Sequence, residues 1–243
     1  MTDEWFKNWF DTKYYHILYK HRNFSEAEHF INKLLDFLAP KKESKFLDIA
    51  CGKGRHSLYI NEKGFQVVGY DLSEQSIRSA NSQAKNGVEF YTHDMRQIFR
   101  TNYFDFALNL FTSFGYFNTV RDELNAIKSF AANLKPGGKL VIDFLNKHKV
   151  ISELLALETK RIDNIEFLIR KKIEQQRVVK DIEFQDKGRN YTFQESVKLL
   201  GLEDFKNYLQ KVDLKITHTF GNYNLDDFNT HSDRLIIIAQ KVG

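Results

Sequence analysis

The sequence predicts an α/β fold: a doubly wound, mostly parallel sheet of seven strands, with an antiparallel edge hairpin and a small antiparallel β insertion. Between residues 45 and 146, short apolar segments alternate with amphipathic helical segments. This alternation is typical of parallel strands covered by helices on both faces. After about residue 158, apolar and polar residues alternate one by one, which indicates antiparallel strands with one solvated face.

Two helices are expected ahead of the first strand. The first has aromatic residues at helical spacing from Trp5 to Phe10, and the second has an apolar stripe that ends before Pro40. The segment Lys135-Pro136-Gly137-Gly138 should break the chain before the fifth strand. The alternation predicts core strands over residues 45–50, 65–70, 88–91, 104–110 and 139–144.

The remaining chain predicts two further units. Residues 158–200 form an antiparallel insertion that would act as a lid over a substrate. Residues 201–243 supply a final helix and a hairpin at the edge of the core sheet. Residues 1–157 then comprise N-terminal lid helices and the cofactor-binding core.

Composition excludes several classes of protein. The 36 basic and 32 acidic residues are well mixed along the chain, whereas a nucleic-acid surface needs clustered basic residues. The chain contains no run of about 18 apolar residues, so we expect no membrane-spanning helix. We also expect no secretory signal. The single cysteine, Cys51, fits a reducing compartment, and we expect a cytoplasmic protein. The histidines lack metal-ligand spacing, so no metal is expected.

A glycine-rich turn follows the first predicted strand. Asp48 lies near the end of that strand, and Gly52 and Gly54 follow it. Glycine allows a sharp turn and lets the backbone approach a ligand closely. Ligands of doubly wound sheets bind beyond the carboxyl ends of the strands, so this turn is a candidate binding loop, although it also fits a purely structural strand-to-helix connection.

The next three strands also end in groups that suit a ligand. Asp71 ends the second strand and could accept hydrogen bonds from both ribose hydroxyls of an adenosine. Asp94 follows the third strand, where an adenine amino group would lie. Asn109 and Leu110 end the fourth, over the centre of the cleft. Four such groups in sequence favour a nucleoside site over chance placement of acids.

Two kinds of cofactor suit this arrangement. A nicotinamide dinucleotide normally requires G-x-G-x-x-G/A, but Ser57 occupies the third small position. S-adenosylmethionine carries no phosphate and needs acceptors for its ammonium group. Asp48 and the carbonyl groups around Ala50 could supply them.

The same segments resemble the motifs of class I S-adenosylmethionine-dependent methyltransferases, over roughly residues 44–146. The matching segments are LDIACGKG at 47–54, VVGYDLS at 67–73, DM at 94–95 and LKPGG at 134–138. The resemblance implies a Rossmann-like fold with an edge hairpin, a ribose contact at Asp71 and adenine contacts at Asp94 and Met95. The expected cofactor-binding residues are Asp48, Ala50, Gly52, Gly54, Asp71, Leu72, Asp94, Met95, Asn109 and Leu110.

The segment after the fourth strand resembles the small-molecule branch of that family, so we expect methyl transfer to nitrogen or oxygen of a small molecule. An in-line transfer depends on alignment, and a general base is optional. Tyr116 is the candidate catalytic residue. Further candidates for the substrate pocket and its lid are Tyr15, Tyr19, Arg22, Phe114 and Tyr191.

Three alternatives remain open at this point. The methyl acceptor could be RNA or protein, although the segment 109–112 is not the Asn-Pro-Pro-Tyr of enzymes that methylate flipped bases. The chain could be an NAD-dependent oxidoreductase. It could also bind S-adenosylmethionine without catalysis, because methyl transfer needs no obligatory side chain.

Overall fold

The computed structural model describes residues 5–20 and 24–242. Within these ranges three helices precede the first strand: α1 (Trp5–Phe10), α2 (Lys13–Leu18) and α3 (Phe24–Leu38). The prediction of two helices was wrong because the Thr12 side chain accepts a hydrogen bond from the backbone N–H of Tyr15 at 3.1 Å and caps α2. This cap divides the aromatic N-terminal segment into two short helices.

The strands that follow form two sheets. In chain order they are β1 (Lys45–Ile49), β2 (Gln66–Asp71), β3 (Val88–Thr92), β4 (Phe104–Asn109), β5 (Leu134–Leu145), β6 (Leu157–Ile162), β7 (Ile165–Glu174), β8 (Arg177–Asp186), β9 (Arg189–Lys198), β10 (Leu214–Phe220) and β11 (Arg234–Lys241). The core sheet has the order β10-β11-β5-β4-β1-β2-β3, and β11 pairs antiparallel with both of its neighbours. The predicted fold class is confirmed.

Five further helices alternate with the strands among the described residues. They are α4 (Arg55–Glu62), α5 (Glu74–Asn81), α6 (Val120–Asn133), α7 (Lys147–Ser152) and α8 (Leu202–Gln210). The strand order reverses between β1 and β4, which creates the crevice where such sheets bind ligands. The sequence predicts a break at Lys135–Gly138, but in the structure β5 already begins at Leu134. A register shift between β4 and β5 accommodates this segment within the strand.

Both faces of the core sheet are covered. Neighbouring residues of β1 belong to different apolar clusters, Phe46 to one and Leu47 and Ile49 to the other. Successive strand residues point to opposite faces, so the sheet separates two hydrophobic layers. The double burial explains why the predicted strands are continuous apolar segments.

The second sheet has the order β6-β7-β8-β9 and is antiparallel throughout. Its inner face forms a third apolar cluster with residues of α1 and α2. Trp9, Tyr14 and Leu18 of these helices pack there with Phe167 and Ile182 of the sheet. The N-terminal helices are therefore attached to the insertion sheet through a shared core.

Candidate functional site

A cavity of about 390 Å³ lies at the crevice where the strand order reverses. Eight of the ten predicted cofactor-binding residues line it: Asp48, Ala50, Gly52, Asp71, Leu72, Asp94, Met95 and Leu110. The N-terminal helices and the turn after α2 add aromatic and basic residues: Phe6, Phe10, Tyr15, His16, Tyr19 and Lys20. We call this space the first cavity. The core strands and the N-terminal segment thus enclose one site.

The loop between β1 and α4 has an unusual backbone. Ala50, Gly52 and Gly54 all have positive φ angles, of 58°, 56° and 78°. Such angles are strained for residues with a side chain and easy for glycine. A Cβ atom on Gly54 would lie 2.4 Å from Cζ of Phe90. Gly54 itself does not line the cavity. Glycine at this position therefore allows the loop to pack closely on β3.

Asp71 connects this loop to the next strand. Its Oδ2 accepts a hydrogen bond from the Gly52 N–H, and its Oδ1 accepts one from the Ser73 N–H, both at 2.9 Å. Burial raises the pKa of the Asp71 carboxyl, and these backbone donors oppose the rise. A carboxylate can accept further hydrogen bonds at its remaining lone pairs. Asp71 therefore fixes the loop and still offers acceptor capacity to a ligand.

Asp48 is a buried acid on the floor of the first cavity. It is 1% exposed and accepts a hydrogen bond from the Ser57 Oγ at 2.6 Å. Burial raises the pKa of Asp48 to about 7, although the Ser57 hydrogen bond opposes the rise. A cationic ligand beside Asp48 would stabilise its ionised form. The residue that departs from the dinucleotide pattern, Ser57, is thus the partner of this acid.

Asp94 lies at the far end of the first cavity beside Met95. Its carboxylate pairs with the guanidinium of Arg96, with the shortest contact at 2.6 Å. The backbone N–H of Arg96 also donates to Asp94 Oδ1 at 2.9 Å. These contacts hold the acid in one orientation at the mouth of the predicted adenine position.

Some predicted site residues lie away from the cavity. Asn109 is buried beneath it, where its Nδ2 donates to the Ile49 carbonyl at 3.3 Å and joins the ends of two strands. Phe114 is fully buried and packs against Phe205 and other core rings. Tyr191 stacks on Phe184 in the insertion sheet. Arg22 lies outside the described residues.

A second cavity of about 710 Å³ adjoins the first. It lies between the core sheet and the insertion sheet, and residues of both line it, such as Arg234 and Lys180. Four aromatic residues line both cavities: Phe10, Tyr15, Phe111 and Tyr116. We call these four residues the aromatic junction.

Hydrogen bonds with β5 and β11 fix the loop that carries Phe111. Phe111 and Thr112 have positive φ angles of 56° and 61°, a conformation that non-glycine residues rarely adopt. The buried Asp143 accepts from the Phe111 N–H at 2.8 Å and from Arg234 Nε at 2.8 Å. Arg234 also donates to Thr112 Oγ1 at 2.8 Å. The hydroxyl of Tyr116 donates to the Thr112 carbonyl.

Sequence reasoning missed two histidines that line the first cavity. Nε2 of His16 and Nε2 of His56 are buried, and neither has a hydrogen-bond partner among the described residues. Burial is the main cause that lowers the pKa of His16 to about 4 and that of His56 to about 3. Both imidazoles are therefore neutral near pH 7. The sequence shows only scattered histidines and contains no signal for these unmet hydrogen bonds.

Comparison with known proteins agrees with this geometry. A family model described as a methyltransferase domain matches residues 19–219. A dTDP-3-amino-3,4,6-trideoxy-alpha-D-glucopyranose N,N-dimethyltransferase of Streptomyces venezuelae is 31% identical over 100 residues, which are 41% of this chain and 42% of that relative. The chain spans roughly half the length of the curated relatives it matches.

Solved structures share the fold. An S-adenosylmethionine-dependent methyltransferase from Clostridium acetobutylicum superposes with a TM-score of 0.80 at 18% identity, covering 95% of this chain and 96% of that one. The sugar N-methyltransferase KedS8 from a Streptoalloteichus species superposes with a TM-score of 0.75 at 19% identity, covering 94% of this chain and 93% of that one.

The chain therefore belongs to the methyltransferase-domain family, and it shares its fold with solved S-adenosylmethionine-dependent methyltransferases. The oxidoreductase alternative is set aside on this ground. The residues of the first cavity suit this cofactor, because the buried Asp48 suits its positive charge and, within the described part of the chain, two buried imidazole nitrogens have no hydrogen-bond partner. Among the described helices, none has the length and apolar character needed to cross a membrane.

Proposed function

We propose that the chain transfers a methyl group from S-adenosylmethionine in the first cavity to a nitrogen atom of a small molecule in the second. The observation that carries this proposal is that the two cavities share the aromatic junction. An in-line displacement requires donor and acceptor to meet on a line through the methyl group. Two adjoining cavities with shared walls provide such a meeting point.

On the donor side, the chain offers polar groups at successive strand ends. Asp71 would accept from the ribose, and Asp94 and Met95 would flank the adenine. Asp48 and the loop from Ala50 to Gly54 would hold the methionyl part. Once bound, the cofactor supplies an activated methyl group on a sulfonium centre.

The aromatic junction suits a positively charged centre. Aromatic faces attract cations, and the Tyr116 ring lies 5.4 Å from the rings of both Trp5 and Phe10. Because the Tyr116 hydroxyl donates to the Thr112 carbonyl, Tyr116 serves as a wall that positions the reactants. No general base is required, provided that the nitrogen enters in its neutral form.

The second cavity, on the acceptor side, is polar and is lined by both positively and negatively charged side chains. Lys149, Lys180 and Arg234 line the second cavity together with Glu195 and other acids. A volume of about 710 Å³ falls in the usual range for small-molecule sites, about 300–1,000 Å³. A balanced lining suits a small polar molecule better than a polyanion. The named relatives that act on sugar nitrogen support nitrogen as the acceptor atom.

A methyl-transfer screen tests this proposal. Radiolabelled S-adenosylmethionine would be supplied with separate panels of amino sugars and their nucleotides, amino acids, phenols, total RNA and a protein extract. We expect label in a small amine. Label in RNA or protein alone would contradict the proposal, and label only in a phenol would move the acceptor atom to oxygen. Binding of the cofactor without transfer to any panel would favour a non-catalytic binding protein.

A cavity-filling variant sharpens the test. Val150 is half-buried on α7 and lines the second cavity but not the first. Val150→Trp should therefore abolish transfer and leave cofactor affinity unchanged. The matched control is Val120→Trp, because Val120 is exposed at the start of α6 and lines neither cavity. Equal activity of both variants would place the acceptor elsewhere.

A further inference from the structure

Two imidazoles with unmet hydrogen-bonding capacity line the first cavity from different elements. His16 belongs to α2, and His56 lies in the first turn of α4. Within the described residues, the Nε2 atom of each is buried without a hydrogen-bond partner. Buried polar atoms are nearly always paired in folded proteins, and an unpaired one calls for an explanation. A ligand that brings hydrogen-bonding groups to both nitrogens is such an explanation.

His56 lines the first cavity and is fixed there by its packing. It is 7% exposed, and its ring stacks on Phe111 with centroids 5.0 Å apart and an angle of 24° between the planes. The Arg55 guanidinium also lies over the Phe111 ring, 4.7 Å from its centroid. The stacking fixes the plane of the His56 imidazole beside the aromatic junction.

His16 lines the same cavity from the N-terminal segment. The charged groups that act on it are Lys53, in the loop between β1 and α4, and Asp11, which precedes α2. Lys53 also lines the first cavity. The binding loop from Ala50 to Gly54 therefore has one unpaired imidazole near Lys53 and another immediately after it in α4.

We infer that His16 and His56 bind the amino-acid tail of S-adenosylmethionine, and this inference rests on the donor side of the proposed function. The tail carries a carboxylate and an ammonium group. A neutral imidazole can donate a hydrogen bond to the first or accept one from the second, according to its tautomer. Lys53 and Arg55 supply positive charge suited to the carboxylate, and Asp48 supplies negative charge suited to the ammonium.

The chain contains a matched control. His93 also lines the first cavity, but its Nε2 already lies 2.9 Å from the Gln97 carbonyl oxygen. It directly precedes Asp94 in the sequence, after β3, whereas the binding loop follows β1. Removing the His93 nitrogen therefore changes an internal hydrogen bond and leaves the tail of the cofactor untouched.

The test compares two ligands by calorimetry. S-adenosylhomocysteine retains the amino-acid tail, and 5′-methylthioadenosine lacks it. His16→Phe and His56→Phe keep a planar ring and remove the nitrogen. Each should weaken binding of S-adenosylhomocysteine about tenfold, the loss of roughly one hydrogen bond, and leave binding of 5′-methylthioadenosine unchanged. His16→Gln and His56→Gln retain a polar amide and should recover most of the affinity.

Each outcome has a distinct meaning. His93→Phe should leave the ratio of the two affinities at its wild-type value. If His16→Phe and His56→Phe also leave that ratio unchanged, or weaken both ligands equally, the inference is wrong. Because His56 is buried in the first turn of α4, the His56→Phe variant could fail to fold, and the ratio measured for His16→Phe then decides. Failure of the wild-type protein to bind either ligand would overturn the donor side of the proposed function instead.

Discussion

The indole Nε1 of Trp9 donates a hydrogen bond of 2.8 Å to Oε1 of Glu195, across 186 residues of sequence. Glu195 lies on β9 and also accepts from the Tyr19 hydroxyl, at 2.7 Å, and from Lys180 Nζ, at 3.1 Å. Burial raises the pKa of Glu195, but its cationic and hydroxyl partners outweigh this and hold the pKa below its usual value. The ionised Glu195 carboxylate thus adds polar contacts to the apolar core that joins the N-terminal helices to the insertion sheet.

Glu195→Leu should loosen this attachment. The change leaves Lys180 without its buried partner, and we expect a loss of about 3 kcal/mol of stability, the scale for breaking a buried ion pair. Hydrogen exchange should rise over α1 and α2, and affinity for S-adenosylhomocysteine should fall, because Tyr15, His16 and Tyr19 line the first cavity. Unchanged exchange in these helices would show that Glu195 does not hold them.

The control for this variant lies on the same sheet. Glu183 pairs with Arg170 at 2.6 Å, but both side chains are about half exposed. Exposed pairs contribute about 0–1 kcal/mol. Glu183→Gln should therefore leave hydrogen exchange and affinity at wild-type values.

Asp48 should make stability depend on pH. Its folded pKa of about 7 lies above its ordinary value of 3.8, so the unfolded chain ionises first as pH rises. Without ligand, the stability contributed by protonated Asp48 is present below pH 4 and is lost as pH rises to about 7. Urea unfolding at pH 5 and pH 8 should show a loss of about 2–3 kcal/mol that Asp48→Asn removes. Identical pH profiles for the two proteins would contradict this.

The same carboxyl should make cofactor binding depend on pH. A cationic ligand prefers the ionised form of Asp48, so affinity for S-adenosylmethionine should rise as pH increases through about 7. Asp48→Asn should bind more weakly and lose that rise. Calorimetry from pH 6 to pH 8 measures both effects, and a pH-independent affinity in the wild-type protein would exclude Asp48 from the site.

Two glycine substitutions separate packing from ligand approach. Gly54→Ala places a methyl group 2.4 Å from Phe90, at a φ angle of 78°, so we expect loss of stability of about 2 kcal/mol or more. Gly52→Ala has a similar φ of 56° but meets no atom of the described residues within 4 Å, so its cost should be only that of the backbone strain, about 1 kcal/mol. Thermal unfolding compares the two, and equal losses would contradict the packing role of Gly54.

Asp71→Ala should weaken binding of S-adenosylmethionine about ten- to a hundredfold, which corresponds to about 1.4–2.8 kcal/mol of hydrogen bonding. The carboxylate also accepts from the Gly52 and Ser73 N–H groups, so the binding loop should exchange hydrogen faster. Asp71→Asn retains one acceptor oxygen and should lose less affinity. Wild-type affinity in Asp71→Ala would remove this residue from the ribose site.

Much of the fold could be predicted because burial leaves a simple record in the sequence. The core strands are continuous apolar segments, and acids such as Asp71 and Asp94 follow directly where those segments end. Strand ends of a parallel sheet meet at one edge, so these residues were predicted to lie together. Both line the first cavity.

The direction of a side chain in an irregular segment, or its contact with a distant element, could not be predicted from such a pattern. Phe114 was predicted to line the pocket because it belongs to a group of aromatic residues just after the fourth strand, but the loop has no fixed periodicity, and Phe114 is buried in the core. Tyr191 follows the predicted alternation along β9, but its ring packs against Tyr14 of α2 instead of lining a cavity. The free nitrogens of His16 and His56 depend on which groups are absent around them, and sequence patterns do not contain that information.

A crystal structure with S-adenosylhomocysteine bound tests the central claim most directly. The account predicts the adenosine beside Asp71 and Asp94 in the first cavity, the amino-acid tail at the loop from Ala50 to Gly54, and the sulfur facing Phe111 and Tyr116. A nucleoside in the second cavity, or one with its sulfur turned away from the aromatic junction, would contradict the claim that donor and acceptor meet there.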